Sequence, residues 1–122
     1  MKVIIDTNGF MIPIQFGVDI FEELKRLGFD EFFVPEAVAL EIEKLIKRER
    51  GLNKTAAKVA RSMMGGCERI PDAMGPADDV ILRLSKKMGA AVLTNDIGLK
   101  RRLAEEGIQT ISLRQKNKLD FV

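Results

Sequence analysis

The amino-acid sequence predicts an α/β fold, a three-layer α/β/α sandwich with a central parallel sheet, and three observations carry that expectation. Short apolar runs recur at positions 2–5, 31–34, 91–94 and 110–113, each closed by turn-forming residues. Longer segments with apolar side chains at helical spacing lie between them, the order that builds a parallel sheet covered on both faces. At 122 residues, the chain can bury one ordinary core and is too short for two, so residues 1–122 are expected to form a single domain.

Each element has its own signal. Residues 2–5 read as a buried strand that leaves into the turn Asp6-Thr7-Asn8-Gly9. Residues 19–27 place Ile20, Phe21, Leu24 and Leu27 on one helical face, with Gly28 behind them as a C-cap. After the strand at 31–34, Pro35 opens a helix to about Arg50, with Val38, Ile42, Leu45 and Ile46 as its apolar face and Gly51 beyond its end. A basic helix over 53–64 stops at Gly65-Gly66, and residues 68–70 suit a short edge strand. Gly75-Pro76 breaks the chain before a helix over 77–88. The strand at 91–94 closes on Asn95-Asp96, a short helix covers 99–106 with Gly107 as its cap, and 110–113 reads as the final strand.

Composition removes whole classes of chemistry. There is no histidine, and Cys67 is the only cysteine. Imidazole acid/base catalysis, Ser-His-Asp or Cys-His mechanisms, intramolecular disulfides and Cys/His zinc sites are therefore excluded. No apolar run approaches the roughly 20 residues needed to cross a bilayer, and the N-terminus lacks a signal-peptide pattern, so the expectation is a cytoplasmic protein without a membrane partner. Chemistry must come from carboxylates, lysines, hydroxyls, or a metal held by oxygen ligands.

Four acids stand where that chemistry is expected. In an open parallel sheet, the binding crevice lies outside the carboxyl ends of the strands. Asp6 ends the first strand and Asp96 follows the 91–94 strand, so both belong to one sheet edge. Singly, each is explained as a turn-initiating Asx residue; the pairing favours a site. At about 100° per residue, Glu41 falls on the flank of its helix's apolar arc, whereas Glu36 and Glu43 point roughly the opposite way. A carboxylate bordering a buried face requires a cation or donors, so Glu41 is expected to have a partner. Asp78 likewise lies about 60° from Ile81, while Asp79 faces away and is explained by the favourable charge of a helix's first turn.

Four converging carboxylates repel one another unless a cation neutralises them. Mg²⁺ or Mn²⁺ takes oxygen ligands, keeps waters, bridges to phosphates, and can activate a water for phosphodiester hydrolysis without histidine. Thr7, Asn8, Thr94 and Asn95 adjoin the acids and are placed to orient ligands or water, although turn capping explains the threonines equally well. The net charge of +2 conceals clusters. Lys44, Lys47, Arg48, Lys54, Lys58 and Arg61 crowd one stretch, and Lys100 and Arg101 lie in another, a distribution that fits a polyanionic partner.

Over nearly its whole length, the chain resembles the PIN-domain ribonucleases, in the segments VIIDTNGF, PEAVALEIEKL, ADDVILRLSKKMGAAVLTND and TISL. The resemblance implies a PIN-like α/β/α fold and Mg²⁺- or Mn²⁺-dependent cleavage of RNA. Its acidic positions carry over as Asp6, Glu41, Asp78 and Asp96, the spacing from Asp78 favouring that residue over Asp79. Members are often toxins of VapC type, held inactive by a small antitoxin protein and usually homodimeric. The acid many toxins carry after the last motif is absent, since Ile97-Gly98-Leu99 stands there. The ADDVIL and TNDIGLKRR wording is also similar to PIN proteins that trim ribosomal RNA precursors. A non-catalytic RNA-binding or scaffolding module is the third reading. A receiver-type phosphoacceptor domain is rejected, because one acid follows the first strand and residues 40–58 contain no Asp.

Overall fold

A computed structural model describes residues 1–122. Its six strands are β1 (Lys2–Ile5), β2 (Glu31–Pro35), β3 (Glu68–Ile70), β4 (Ala91–Leu93), β5 (Thr110–Arg114) and β6 (Lys118–Phe121), forming one sheet in the order β3-β2-β1-β4-β5-β6. Every neighbouring pair is parallel except β5 and β6. Around the sheet lie α1 (Thr7–Phe16), α2 (Ile20–Arg26), α3 (Glu36–Arg48), α4 (Gly51–Met63), α5 (Ala77–Met88) and α6 (Ile97–Glu105). The α/β architecture is as the sequence predicts, with a sheet that is mostly rather than wholly parallel.

Strand order explains where a site can form. From β1 the chain moves outward through β2 to β3, then returns across the sheet to β4 and continues to β5. The order reverses between β1 and β4, which pair in register from Val3–Ala91 to Ile5–Leu93. That is the topological switch point, where the connections on either side diverge and leave a crevice at the carboxyl ends of the strands. Val3, Ile4, Ile5, Val92 and Leu93 are all fully buried, which accounts for their unbroken apolar runs. One continuous core joins them to Ile42 and Val38 of α3, Ile81 and Val80 of α5, and Leu99 and Leu103 of α6.

Two elements escape the sequence reading. The Asp6-Thr7-Asn8-Gly9 segment is the start of helix α1 rather than a free turn. Gly9 and Pro13 lower its helix propensity, and Gly9, Phe10, Met11 and Ile12 are buried consecutively, so no amphipathic period exists to be read. The 110–113 strand is not the last either. Gln115 and Lys116, both at positive φ (56° and 62°), turn the chain back into antiparallel β6. Tight hairpin turns of that conformation are normally signalled by Asn-Gly or Asp-Gly, and neither occurs here. Helix ends shift by a few residues: α3 stops at Arg48, α4 starts at Gly51, and α6 starts at Ile97 because Asp96 caps it.

Candidate functional site

Asp6 leaves β1 at the switch point and serves as N-cap of α1. Its Oδ1 accepts the Gly9 N–H at 2.8 Å, and its Oδ2 accepts the Thr94 hydroxyl at 2.6 Å. Only 5% of the residue is exposed. Burial pushes its carboxyl up to about 7; the two hydrogen bonds oppose that shift, and the charges of Asp78 and Asp96 add to it. Gly9 makes the close approach possible, because a Cβ there would stand 3.0 Å from the Leu93 carbonyl oxygen. A larger residue would require the contact between α1 and β4 to give by a few tenths of an ångström.

Thr94 ties the two strand ends together. Its buried hydroxyl donates to Asp6 and accepts the Asp96 N–H at 3.0 Å. Asn8 Oδ1 accepts the Asn95 N–H at 3.0 Å and stands 3.3 Å from the Thr94 hydroxyl, and Asn95 Oδ1 accepts the Leu113 N–H at 2.9 Å. With both amide oxygens turned inward, the NH₂ groups of Asn8 and Asn95 remain as donors. Asp96 is exposed; its Oδ1 accepts the Leu99 N–H at 2.8 Å, satisfying a free N–H at the start of α6. The Thr7 hydroxyl is buried without a hydrogen-bond partner, an orphan of the kind that calls for an explanation.

Asp78 enters from the first turn of α5 and is half-buried. Burial raises its pKa most, the charges of Asp96 and Glu41 raise it further, and the nearby Arg102 guanidinium lowers it. Asp79 is held by Arg102 of α6 at 2.8 Å. The helix-terminus explanation for Asp79 was therefore incomplete: the residue anchors a cation beside Asp78. Arg102 itself lies in a basic cluster of the sequence, but only the fold brings it to α5.

Glu41 is a correction. Helix phase sets it on the flank of the apolar arc, one turn from Val38 and Leu45, yet the residue is exposed and makes no hydrogen bond or ion pair. The flank of α3 opens into a cleft of about 380 Å³ lined by Leu40, Glu41, Lys44 and Arg48 and by the loop before α5. Its carboxylate is open to solvent, so the desolvation argument for a partner fails. What links Glu41 to the other acids is its charge acting on Asp78 across that cleft.

The basic residues divide. Lys44 and Arg48 share the cleft with Glu41, at the spacing that puts 41, 44 and 48 on one helical face. Arg61 reaches Glu43 at 3.5 Å. Lys47, Lys54, Lys58, Lys100 and Arg101 line no cleft.

No three carboxylates, as their side chains are placed, close into a ligand set for a metal ion. The chemistry of the donors nonetheless suits a hard divalent cation. Asp6, Asp78 and Asp96 offer only oxygen, and the charges of Asp78 and Asp96 both raise Asp6. Adding positive charge among them would relieve that repulsion.

The chain is similar to known proteins over nearly its whole length. Ribonuclease VapC9 of Archaeoglobus fulgidus is 28% identical over 116 residues, covering 95% of this chain and 85% of that one. Ribonuclease VapC4 of Methanocaldococcus jannaschii is 27% identical over 120 residues, covering 94% and 92%. Among solved structures, the PIN domain endonuclease Utp24 superposes with a TM-score of 0.77 at 28% identity, covering 98% of this chain and 90% of that chain. A domain of a functionally unknown M. jannaschii protein shares the fold, with a TM-score of 0.64 at 20% identity, covering 93% and 91%. The PIN like domain family matches residues 3–116, so the chain belongs to that family.

Proposed function

We propose that the protein is a Mg²⁺- or Mn²⁺-dependent endoribonuclease that works through Asp6, Asp78, Asp96 and Glu41. The observation that carries this reading is the burial of Asp6 at the switch point, bonded to Thr94 and within the field of Asp78 and Asp96. A carboxylate held in that position costs stability in the free protein, which favours a functional role over a structural one. The names of the VapC relatives and of Utp24 support the same class of reaction.

In this reading, Asp6, Asp78 and Asp96 hold the metal and Glu41 contributes from α3 across the cleft. The bound ion would lower the pKa of a water and neutralise charge on the phosphodiester. The chain's own contributions are positioning. Thr94 fixes the Asp6 carboxylate and the Asp96 backbone with one hydroxyl. The Asn8 and Asn95 amides offer donors to phosphate or ribose oxygens, and Lys44 and Arg48 hold the RNA backbone along the cleft. With no Trp or Tyr in the chain, base stacking contributes little, so recognition rests on phosphates and RNA shape.

The test is RNA cleavage by purified wild type, Asp6→Asn and Asp96→Asn with and without Mn²⁺, with calorimetric Mn²⁺ binding alongside. Cleavage by wild type that needs Mn²⁺ and disappears in both folded variants is expected. Full activity in either variant, or RNA binding without any cleavage by wild type, overturns the nuclease reading; the second outcome favours a scaffold. The biological setting is a separate proposal. Growth arrest on expression, relieved by a small partner protein, would identify an antitoxin-controlled toxin, usually a homodimer, and its absence would favour ribosomal RNA processing.

A further inference from the structure

A second groove begins at the opposite side of α5 from the Lys44–Arg48 cleft. It is an open depression of about 560 Å³, lined along α5 by Asp79, Leu82, Arg83, Lys86 and Lys87 and from α6 by Arg102. Both helices start at the candidate site, α5 with Asp78 in its first turn and α6 capped by Asp96, so a groove between them leads away from the acids. From Asp79 to Lys87, it extends about 12 Å along the helix axis at 1.5 Å per residue.

Its cations are arranged rather than scattered. Arg102 is fixed by Asp79 at 2.8 Å, Arg83 by Asp72 at 2.8 Å, and Lys86 by Glu106 at 2.9 Å, while Lys87 forms no ion pair. Each arginine uses only one terminal nitrogen for its carboxylate, leaving the rest of the guanidinium fork as oriented donors. A guanidinium already held in place loses little freedom on meeting a phosphate, and its planar fork matches phosphate oxygens. Leu82 is the only apolar residue lining the groove. A protein partner would need aromatic or aliphatic anchors there, whereas a phosphodiester backbone needs only the cations.

We propose that the α5–α6 groove is a second phosphate-binding track, holding single-stranded RNA on the far side of the cut from the Lys44–Arg48 cleft. The strand thus enters along α3, crosses the acids and leaves between α5 and α6. The proposal rests on the nuclease reading for its substrate and adds to it the path and the residues that define it.

The experiment measures binding of a labelled single-stranded RNA by the full chain in EDTA, so that no cleavage intervenes, across a range of salt concentrations. The Lys86→Gln/Lys87→Gln variant is compared with Lys44→Gln/Arg48→Gln and wild type. Loss of two phosphate contacts should weaken binding about tenfold and reduce the slope of log K against log salt by roughly 1.4, at about 0.7 per phosphate for single strands. Unchanged affinity and slope in the groove variant, when wild type binds the RNA, overturn the track and leave the nuclease reading intact. Wild type that neither binds RNA nor cuts it with Mn²⁺ overturns the nuclease reading itself, and the track with it. Should the double variant melt lower than wild type, Lys87→Gln alone repeats the test at a side chain without an ion-pair partner, with an expected slope change of about 0.7.

Discussion

The Thr94 hydroxyl donates to the buried Asp6 carboxylate at 2.6 Å and accepts the Asp96 N–H at 3.0 Å. One oxygen atom thus couples the ends of two neighbouring strands, residues separated by 88 positions in the chain. Thr94→Val keeps the shape and removes both bonds. A hydrogen bond to a buried charged group contributes about 1.5–3 kcal/mol, so denaturant unfolding at pH 8 should show a loss of that order, with Thr94→Ser recovering most of it. Cleavage should fall further than stability, because Asp96 is released along with Asp6. A valine variant as active as wild type would remove Thr94 from the site.

The Asp6 carboxyl titrates at about 7 in the fold against an ordinary value of 3.8. The folded protein therefore binds this proton more tightly than the unfolded chain does. Asp6 contributes a stability that is fully present below about pH 4 and is lost as pH rises through about 7. Differential scanning at pH 5, 6, 7 and 8 without divalent ions should show this decline, of the order of a few kcal/mol at most. Asp6→Asn should abolish that slope and melt higher than wild type at pH 8. If Asp6 ligates the metal, Mn²⁺ added near pH 6.5 should release protons, readable from the dependence of the calorimetric heat on buffer ionisation enthalpy. A flat wild-type profile over this range would contradict the burial argument.

Gly9 stands where α1 crosses the Leu93 carbonyl, and a Cβ would come within 3.0 Å of that oxygen and 3.2 Å of the Leu93 side chain. The Gly9 N–H holds Asp6 and Leu93 precedes Thr94, so any adjustment there reaches the candidate site. Gly9→Ala is expected to cost about 1–3 kcal/mol as overpacking does, despite alanine's better helix propensity. It should also weaken Mn²⁺ binding, since the Gly9 N–H holds Asp6 Oδ1. A stabilised Gly9→Ala variant would show that helix propensity outweighs the close approach.

What the sequence disclosed and what it concealed follow from the reach of each signal. Asp6 and Asp96 were legible because a strand ending in an acid is a local pattern, and alternating elements put both at one edge of a parallel sheet; that β1 and β4 are neighbours is visible only in the fold. Asp78 was distinguishable from Asp79 by helix phase, which needs only the neighbours on one helix. Glu41 shows the limit of that method: phase gives direction but not what lies in that direction, and here it is an open cleft. Arg102 was invisible as a site neighbour because its contact with Asp79 joins two helices that no periodicity relates. Helix α1 was hidden by being apolar on successive residues, and β6 by a turn whose left-handed residues are Gln115 and Lys116 rather than glycine or asparagine.

That unsignalled last strand is locked from outside by α2. Arg26 donates to the Leu119 carbonyl at 2.7 Å, Glu23 accepts the Leu119 N–H at 3.0 Å, and the two side chains pair with each other at 3.0 Å. Together they occupy backbone groups of an edge strand that would otherwise be open to pairing with another chain. The Arg26 hydrogen bond, then that from Leu119, lowers the Glu23 pKa below its ordinary 4.5, so this contribution is present above that value and is lost as pH falls through the lowered one. Glu23→Ala should leave the acids of the candidate site untouched while exposing the β6 edge. Light scattering at rising protein concentration should then report self-association that wild type lacks at neutral pH and begins to show only in acid. A monodisperse Glu23→Ala protein, with unchanged hydrogen exchange at Leu119, would mean that the hairpin holds its edge closed without α2.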